Sequence, residues 1–97
     1  FPDTVLIQGH IGGGGDWEWN LRCLEQRPGT YLDISGSVVD AGIVKRTVET
    51  LGAEHVLFAT DGILEEGVGK LLDADLSAEE MALICEKNAR RILRLED

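Results

Sequence analysis

Apolar positions along the chain fall into short runs and helical stripes that alternate three times. Val5-Leu6-Ile7, following Pro2, is a compact apolar run that reads as a strand buried on both faces. It leads through Gly9-His10-Ile11 into four glycines, Gly12 to Gly15. Asp16 then stands where its carboxylate can accept from the free amides of a first helical turn. Trp17, Leu21 and Leu24 recur at i, i+4 and i+7, which places them on one helix face, and Pro28-Gly29 ends that helix.

The second unit pairs a strand, Tyr31 to Ile34, with a helix whose inner face is Ile43, Val44, Thr47, Val48 and Leu51. Asp40 is the candidate cap at its start, and Gly52 fits the left-handed residue that closes it. The third strand is Val56 to Ala59, ending at Thr60-Asp61-Gly62. Strands begin near residues 4, 30 and 56, a spacing of 26 each time. Regular strand–helix alternation predicts an α/β fold of parallel strands joined by right-handed crossovers.

The rest of the chain departs from that rhythm. Residues 62–76 are acidic and punctuated by glycine, with one helical turn expected around Lys70 to Leu72. Ser77 and Glu80 have the spacing of a capping box. The helix they open is expected to turn Met81, Ile84, Cys85, Asn88, Ile92 and Leu95 toward the sheet. Arg90, Arg91 and Arg94 suit the negative end of its dipole.

Length and charge narrow this picture. Ninety-seven residues hold one domain. Three strand–helix units leave a parallel sheet that is mostly edge, whereas a closed eight-fold barrel needs about 250 residues. Together with a first residue that is Phe rather than Met, this favours a piece of something larger. Nine basic against eighteen acidic residues give a net charge of −9, which argues against nucleic acid and anionic membranes as partners. No apolar run approaches the roughly 20 residues of a membrane span, and no signal peptide is visible. Cys23 and Cys85 lie in apolar stretches far apart and read as reduced, buried thiols, which points to the cytoplasm.

In parallel α/β architecture, chemistry gathers beyond the carboxyl ends of the strands. His10, Asp33 with Ser35, and Asp61 all fall at that level. His10 is flanked by glycines that leave its ring unshielded, although a histidine there can also serve only to bond a neighbouring carbonyl. Asp61 could be a metal ligand, a general base or a helix cap. Asp33 lies inside its strand and reads first as a paired structural carboxylate. His55 precedes a strand, at the opposite end, and reads as a surface or capping residue. Trp17 belongs to the core stripe. Trp19, two residues away, cannot share that face and packs on a neighbouring helix or lines the entry to the site. Glu65 and Glu66 read as a solvated acidic loop over the rim.

The ordered set Gln8-Gly9-His10-Ile11-Gly12-Gly13-Gly14, Tyr31-Leu32-Asp33-Ile34-Ser35-Gly36, Leu51-Gly52-Ala53-Glu54-His55-Val56-Leu57-Phe58-Ala59-Thr60-Asp61-Gly62 and the closing Asn88-Ala89-Arg90-Arg91 resembles the amidohydrolase-related, metal-dependent hydrolases, which have a TIM-barrel fold. The resemblance implies that residues 1–97 are strands six to eight and the final helix of a single (β/α)8 barrel. It implies that His10 is the strand-six histidine, a metal ligand or substrate-polarising residue. It implies that Asp61 is the strand-eight aspartate, which binds the metal and takes a proton from its water. The divalent ion so implied is most simply zinc, the substrate a small molecule, and the reaction C–N or C–O hydrolysis or decarboxylation. The family's first-strand His-x-His pair and strand-five histidine have no counterpart here, so the chain is expected to need the remaining barrel segment, or further copies of itself. The aromatic and Pro that often follow the strand-eight aspartate are replaced by Gly62-Ile63.

Two other readings remain. Gly9, Gly13 and Gly15 after a strand, with Asp33 about 20 residues further on, resemble a dinucleotide-binding turn of a Rossmann-like oxidoreductase, although the strict glycine spacing fails at Ile11. A non-catalytic fragment that associates through its sheet edges is the other.

Overall fold

The computed structural model describes residues 1–11 and 15–95. Three strands, β1 (Leu6–Gln8), β2 (Thr30–Asp33) and β3 (Val56–Leu57), form one parallel sheet in the order β1-β2-β3. Gln8 stands opposite Leu32, and Asp33 opposite Leu57. The alternation expected from the 26-residue spacing is therefore present, with consecutive strands adjacent. Helix α1 (Trp17–Leu24) follows β1 and α2 (Ile43–Leu51) follows β2. Ile11, Trp17, Leu21, Leu32, Ile34, Ile43, Val44, Val48, Val56 and Ile84 make the core between sheet and helices.

Several expectations need correction. Val5, Leu6 and Ile7 are 46%, 59% and 48% exposed rather than buried on both faces, because among the described residues β1 pairs with β2 alone. Asp16 occupies the N-cap of α1, but its carboxylate accepts no hydrogen bond from the helix. Asp40 does not cap α2: its Oδ2 accepts from Trp17 Nε1 at 2.8 Å, and the cap position belongs to Gly42 at φ 78°. The Gly42 amide donates instead to Asp73 Oδ2 at 3.0 Å. Gly52 closes α2 with a positive φ, as expected.

The largest difference lies after β3. Where one helical turn was expected, α3 runs from Leu64 to Asp73, and Glu65 and Glu66 are its first turn rather than a loop. Strand β3 is two residues long, because the Phe58 amide leaves the sheet and donates to Ile84 O at 3.0 Å. That carbonyl lies in a π-helical segment, Leu83–Lys87, between α4 (Ala78–Ala82) and α5 (Asn88–Ile92). The Asn88 amide reaches back to Leu83 O, one position further than an α-helix allows, and the widened turn leaves Ile84 O for the strand. The Ser77–Glu80 capping box is present in both directions, at 3.1 and 2.9 Å. Of the expected inner face, Ile84 and Asn88 are buried, whereas Cys85 and Leu95 are exposed. Cys23 and Cys85 are both free and both exposed, contrary to the expected burial. No described helix is long and apolar enough to cross a membrane.

Candidate functional site

Parallel strands bring their carboxyl ends to one rim, and the residues that follow them meet there. His10 Nε2 lies 3.0 Å from Asp61 Oδ2. The two are 51 positions apart in the chain, come from the outer strands of the sheet, and have side chains 61% and 59% exposed. Both adopt left-handed backbone, φ 61° at His10 and φ 51° at Asp61, a region that L-residues occupy at a cost of order 1–3 kcal/mol. An ion pair this exposed contributes about 0–1 kcal/mol, too little to hold both backbones there. The loops themselves must carry the geometry.

The β2 end supplies much of that support. Asp33 Oδ1 accepts from the His10 amide at 3.2 Å, the Ser35 amide at 3.0 Å and Ser35 Oγ at 2.5 Å. The His10 amide is shared with Ser35 Oγ at 3.3 Å. Asp33 is thus the paired structural carboxylate expected from its place inside the strand. Of the dinucleotide-binding turn Gly9, Gly13 and Gly15, Gly13 lies outside the described residues. Gly36, at φ 96°, lies directly behind His10. A Cβ there would stand 3.2 Å from His10 Cβ and 3.3 Å from its Cγ, so a side chain would be strained at this φ and tight against His10. Beside His10 opens a cleft of about 370 Å³ lined by Gly9, His10, Ile11, Ser35, Gly36, Ser37 and Val38.

Lys70 is the residue that sequence reasoning missed. It is 6% exposed, and its Nζ donates to Ile34 O at 2.8 Å and Gly36 O at 2.6 Å. Burial pushes its ammonium below the ordinary lysine value, against the opposing pull of the Glu66 and Asp33 carboxylates. The signal was faint: a lone lysine between Gly69 and Leu71, in a stretch expected to form one helical turn.

His55 lies at the opposite end, in a single turn, Ala53–His55, before β3, with its ring 5.3 Å from Tyr31. Trp17 is core, as expected. Trp19 is 66% exposed, and Arg22 stacks over its ring at 5.0 Å.

A metal ion held tetrahedrally at 2.0–2.1 Å separates its ligand atoms by about 3.3 Å, so the His10–Asp61 spacing suits two corners of such a site. Catalytic zinc takes three protein ligands. Among the described residues no group of three or more His, Cys, Asp or Glu is placed to hold a metal. The donor set on this chain is therefore incomplete.

The amidohydrolase family model matches residues 1–95. An amidohydrolase 2 from Bifidobacterium longum subsp. infantis superposes with a TM-score of 0.72 and 25% identity, covering 98% of this chain and 42% of that one. The 2,6-dihydroxybenzoate decarboxylase from Rhizobium superposes at 0.75 with 18% identity, over 99% of this chain and 36% of that one. The 5-carboxyvanillate decarboxylase from Sphingomonas paucimobilis does so at 0.72 with 22% identity, over 99% and 35%. Among curated proteins, DNA topoisomerase 1 of Mycobacterium tuberculosis (strain ATCC 25177 / H37Ra) is 37% identical over 78 residues, which is 73% of this chain and 8% of that protein. The chain thus spans well under half the length of each of these proteins, and so small a share of the topoisomerase carries no reading of its activity. With the family profile covering nearly every residue and the barrel enzymes sharing its fold, the chain belongs to the amidohydrolase family, as a fragment of its TIM barrel.

Proposed function

We propose that this chain supplies part of the active site of a metal-dependent hydrolase or decarboxylase acting on a small molecule, with His10 and Asp61 as its contribution. The approach of His10 Nε2 and Asp61 Oδ2 to 3.0 Å on the carboxyl rim carries this reading. In it both residues are ligands of one divalent cation, zinc by preference. When bound, such a cation lowers the pKa of a coordinated water to about 7 and polarises a carbonyl or carboxylate. Asp61 accepts a proton at Oδ2, and His10, held by its amide to Asp33, presents Nε2 to the same point. The open cleft beside His10 is where a substrate would lie.

The missing ligands are assigned to the remaining barrel segment, with residues 1–97 as strands six to eight and the final helix of one domain. Support comes from the exposed apolar edge at Leu6 and Ile7, where a further strand fits, and from solved structures of which this chain covers 35–42%. A second copy of the chain is the other candidate for that edge. Free cysteines favour a cytoplasmic location.

Calorimetric zinc titration tests the assignment. The chain alone should bind weakly. A version with strands one to five of a family barrel fused before Phe1 should bind stoichiometrically, and should lose that affinity with His10→Ala or Asp61→Ala. Tight binding by the isolated chain, or an affinity indifferent to both substitutions, would overturn it.

A further inference from the structure

We propose that α3 is a brace that fixes the His10–Asp61 pair, with Lys70 as its positioning residue. The pair sits on two separate loops and is too exposed to hold its own geometry, so an element touching both loops is needed. Helix α3 is that element. Gly67 presses on the loop that carries Asp61: a Cβ at this position would lie 2.8 Å from Thr60 Cγ2 and 3.5 Å from the Phe58 ring. Only a residue without a side chain lets the helix approach so closely.

Three positions on, and therefore on the same helical face, Lys70 crosses to the other loop. Its Nζ donates to Ile34 O and Gly36 O, the two carbonyls that bracket Ser35. Gly36 backs the His10 side chain, and Ser35 Oγ shares the His10 amide with Asp33. Lys70 therefore touches neither member of the pair, yet fixes the shelf on which His10 rests. A buried ammonium also ties that shelf down more firmly than a neutral donor, since hydrogen bonds from charged groups are about twice as strong. The inference uses the reading of His10 and Asp61 as a working pair. Its test reads geometry instead of turnover, so that either can fail without the other.

The test is NMR of the full chain at neutral pH without metal, where His10 and His55 are the only histidines. His55, at the far end of the sheet, is the internal control. In Lys70→Met the His10 amide should exchange about ten-fold faster and its imidazole signals should move, while His55 stays in place. Lys70→Gln, which keeps a neutral donor, should fall between the two. Gly67→Ala leaves Lys70 intact and should move the Asp61 carboxyl carbon first. Unchanged His10 signals in both Lys70 variants would overturn the proposal, as would an Asp61 signal indifferent to Gly67→Ala. Loss of cooperative unfolding in both Lys70 variants would also overturn it, by making Lys70 a general support of the fold.

Discussion

Asn88 offers the sharpest test of how the final helix is held to the sheet. Its side chain is fully buried, and Nδ2 donates to Ala53 O and Val56 O, both at 2.7 Å. Arg91 orients the amide by donating to Oδ1 at 3.0 Å while also reaching Glu54 O at 2.7 Å. Asn88→Ala removes this donor from both carbonyls, but Ala53 O still accepts from the Val56 amide, so the loss falls on Val56 O. A buried acceptor left unsatisfied costs about 1–3 kcal/mol, so the expected loss is about 1–3 kcal/mol, with a small cavity adding to it. For a chain of this size each kcal/mol lowers Tm by about 4–8 °C. A loss of about 2 kcal/mol, the middle of that range, means a drop of about 8–16 °C. The assay is urea unfolding followed by tryptophan fluorescence, with the m-value checked for constancy. Asn88→Asp is the stricter comparison. It keeps the shape but turns a donor into an anion facing two carbonyl oxygens, and should be at least as damaging as Ala. If either variant unfolded within about 0.5 kcal/mol of the parent, the range of an inconsequential surface change, the amide would not be the group that anchors the helix.

Left-handed backbone at Asp61 predicts that Asp61→Val falls about 1–3 kcal/mol below Asp61→Gly in stability; equal values in chemical denaturation would show the backbone to be unstrained. Ser77→Ala removes one half of the capping box and should lower stability by about 1 kcal/mol, read as a fall in Tm that Ser77→Asp largely avoids. Burial of Lys70 predicts a pH effect of definite sign. Its folded pKa lies below that of the unfolded chain, so between the two values the unfolded chain binds the extra proton and stability rises with pH toward about 10.5. Unfolding free energies of the parent and Lys70→Met, measured across that alkaline window, should diverge in the parent's favour; parallel curves would contradict the assignment.

The strands, the order of the sheet and the rim position of His10 and Asp61 were legible because they follow from apolar runs at fixed spacing and from parallel topology. Helix α3 was not, for a physical reason. Its apolar positions Leu64, Val68 and Leu72 form a helical stripe, but that stripe faces outward, and the residues it buries are Gly67, Lys70 and Leu71. A helix that packs by a glycine and a lysine has no ordinary inward stripe to read. Cys85 misled in the opposite direction. A regular helix would carry it with Ile84 toward the sheet, but across the π-turn that accompanies the Phe58–Ile84 hydrogen bond Ile84 and Asn88 are fully buried and Cys85 is exposed. Asp40 looked like a cap because it precedes a helix, and nothing local reveals that Trp17, 23 residues earlier, claims its carboxylate.

Two deficits remain, and one arrangement accounts for both. The rim has two candidate ligands where a catalytic zinc takes three. At the edge, β1 exposes Leu6 and Ile7, although parallel strands are ordinarily covered on both faces. A barrel completed from strands one to five would cover the edge and bring further ligands to the rim in the same step. Under the proposed assembly the two events are therefore linked. Metal binding would stabilise the completed barrel in proportion to its affinity, and closure at Leu6 would raise that affinity in return. Leu6→Lys, at a position 59% exposed and outside the proposed ligand pair, should then weaken zinc binding in the completed barrel while leaving the isolated chain's weak binding unchanged. If the substitution left zinc affinity in the completed barrel untouched, the edge and the rim would be separate matters, and covering one would say nothing about filling the other.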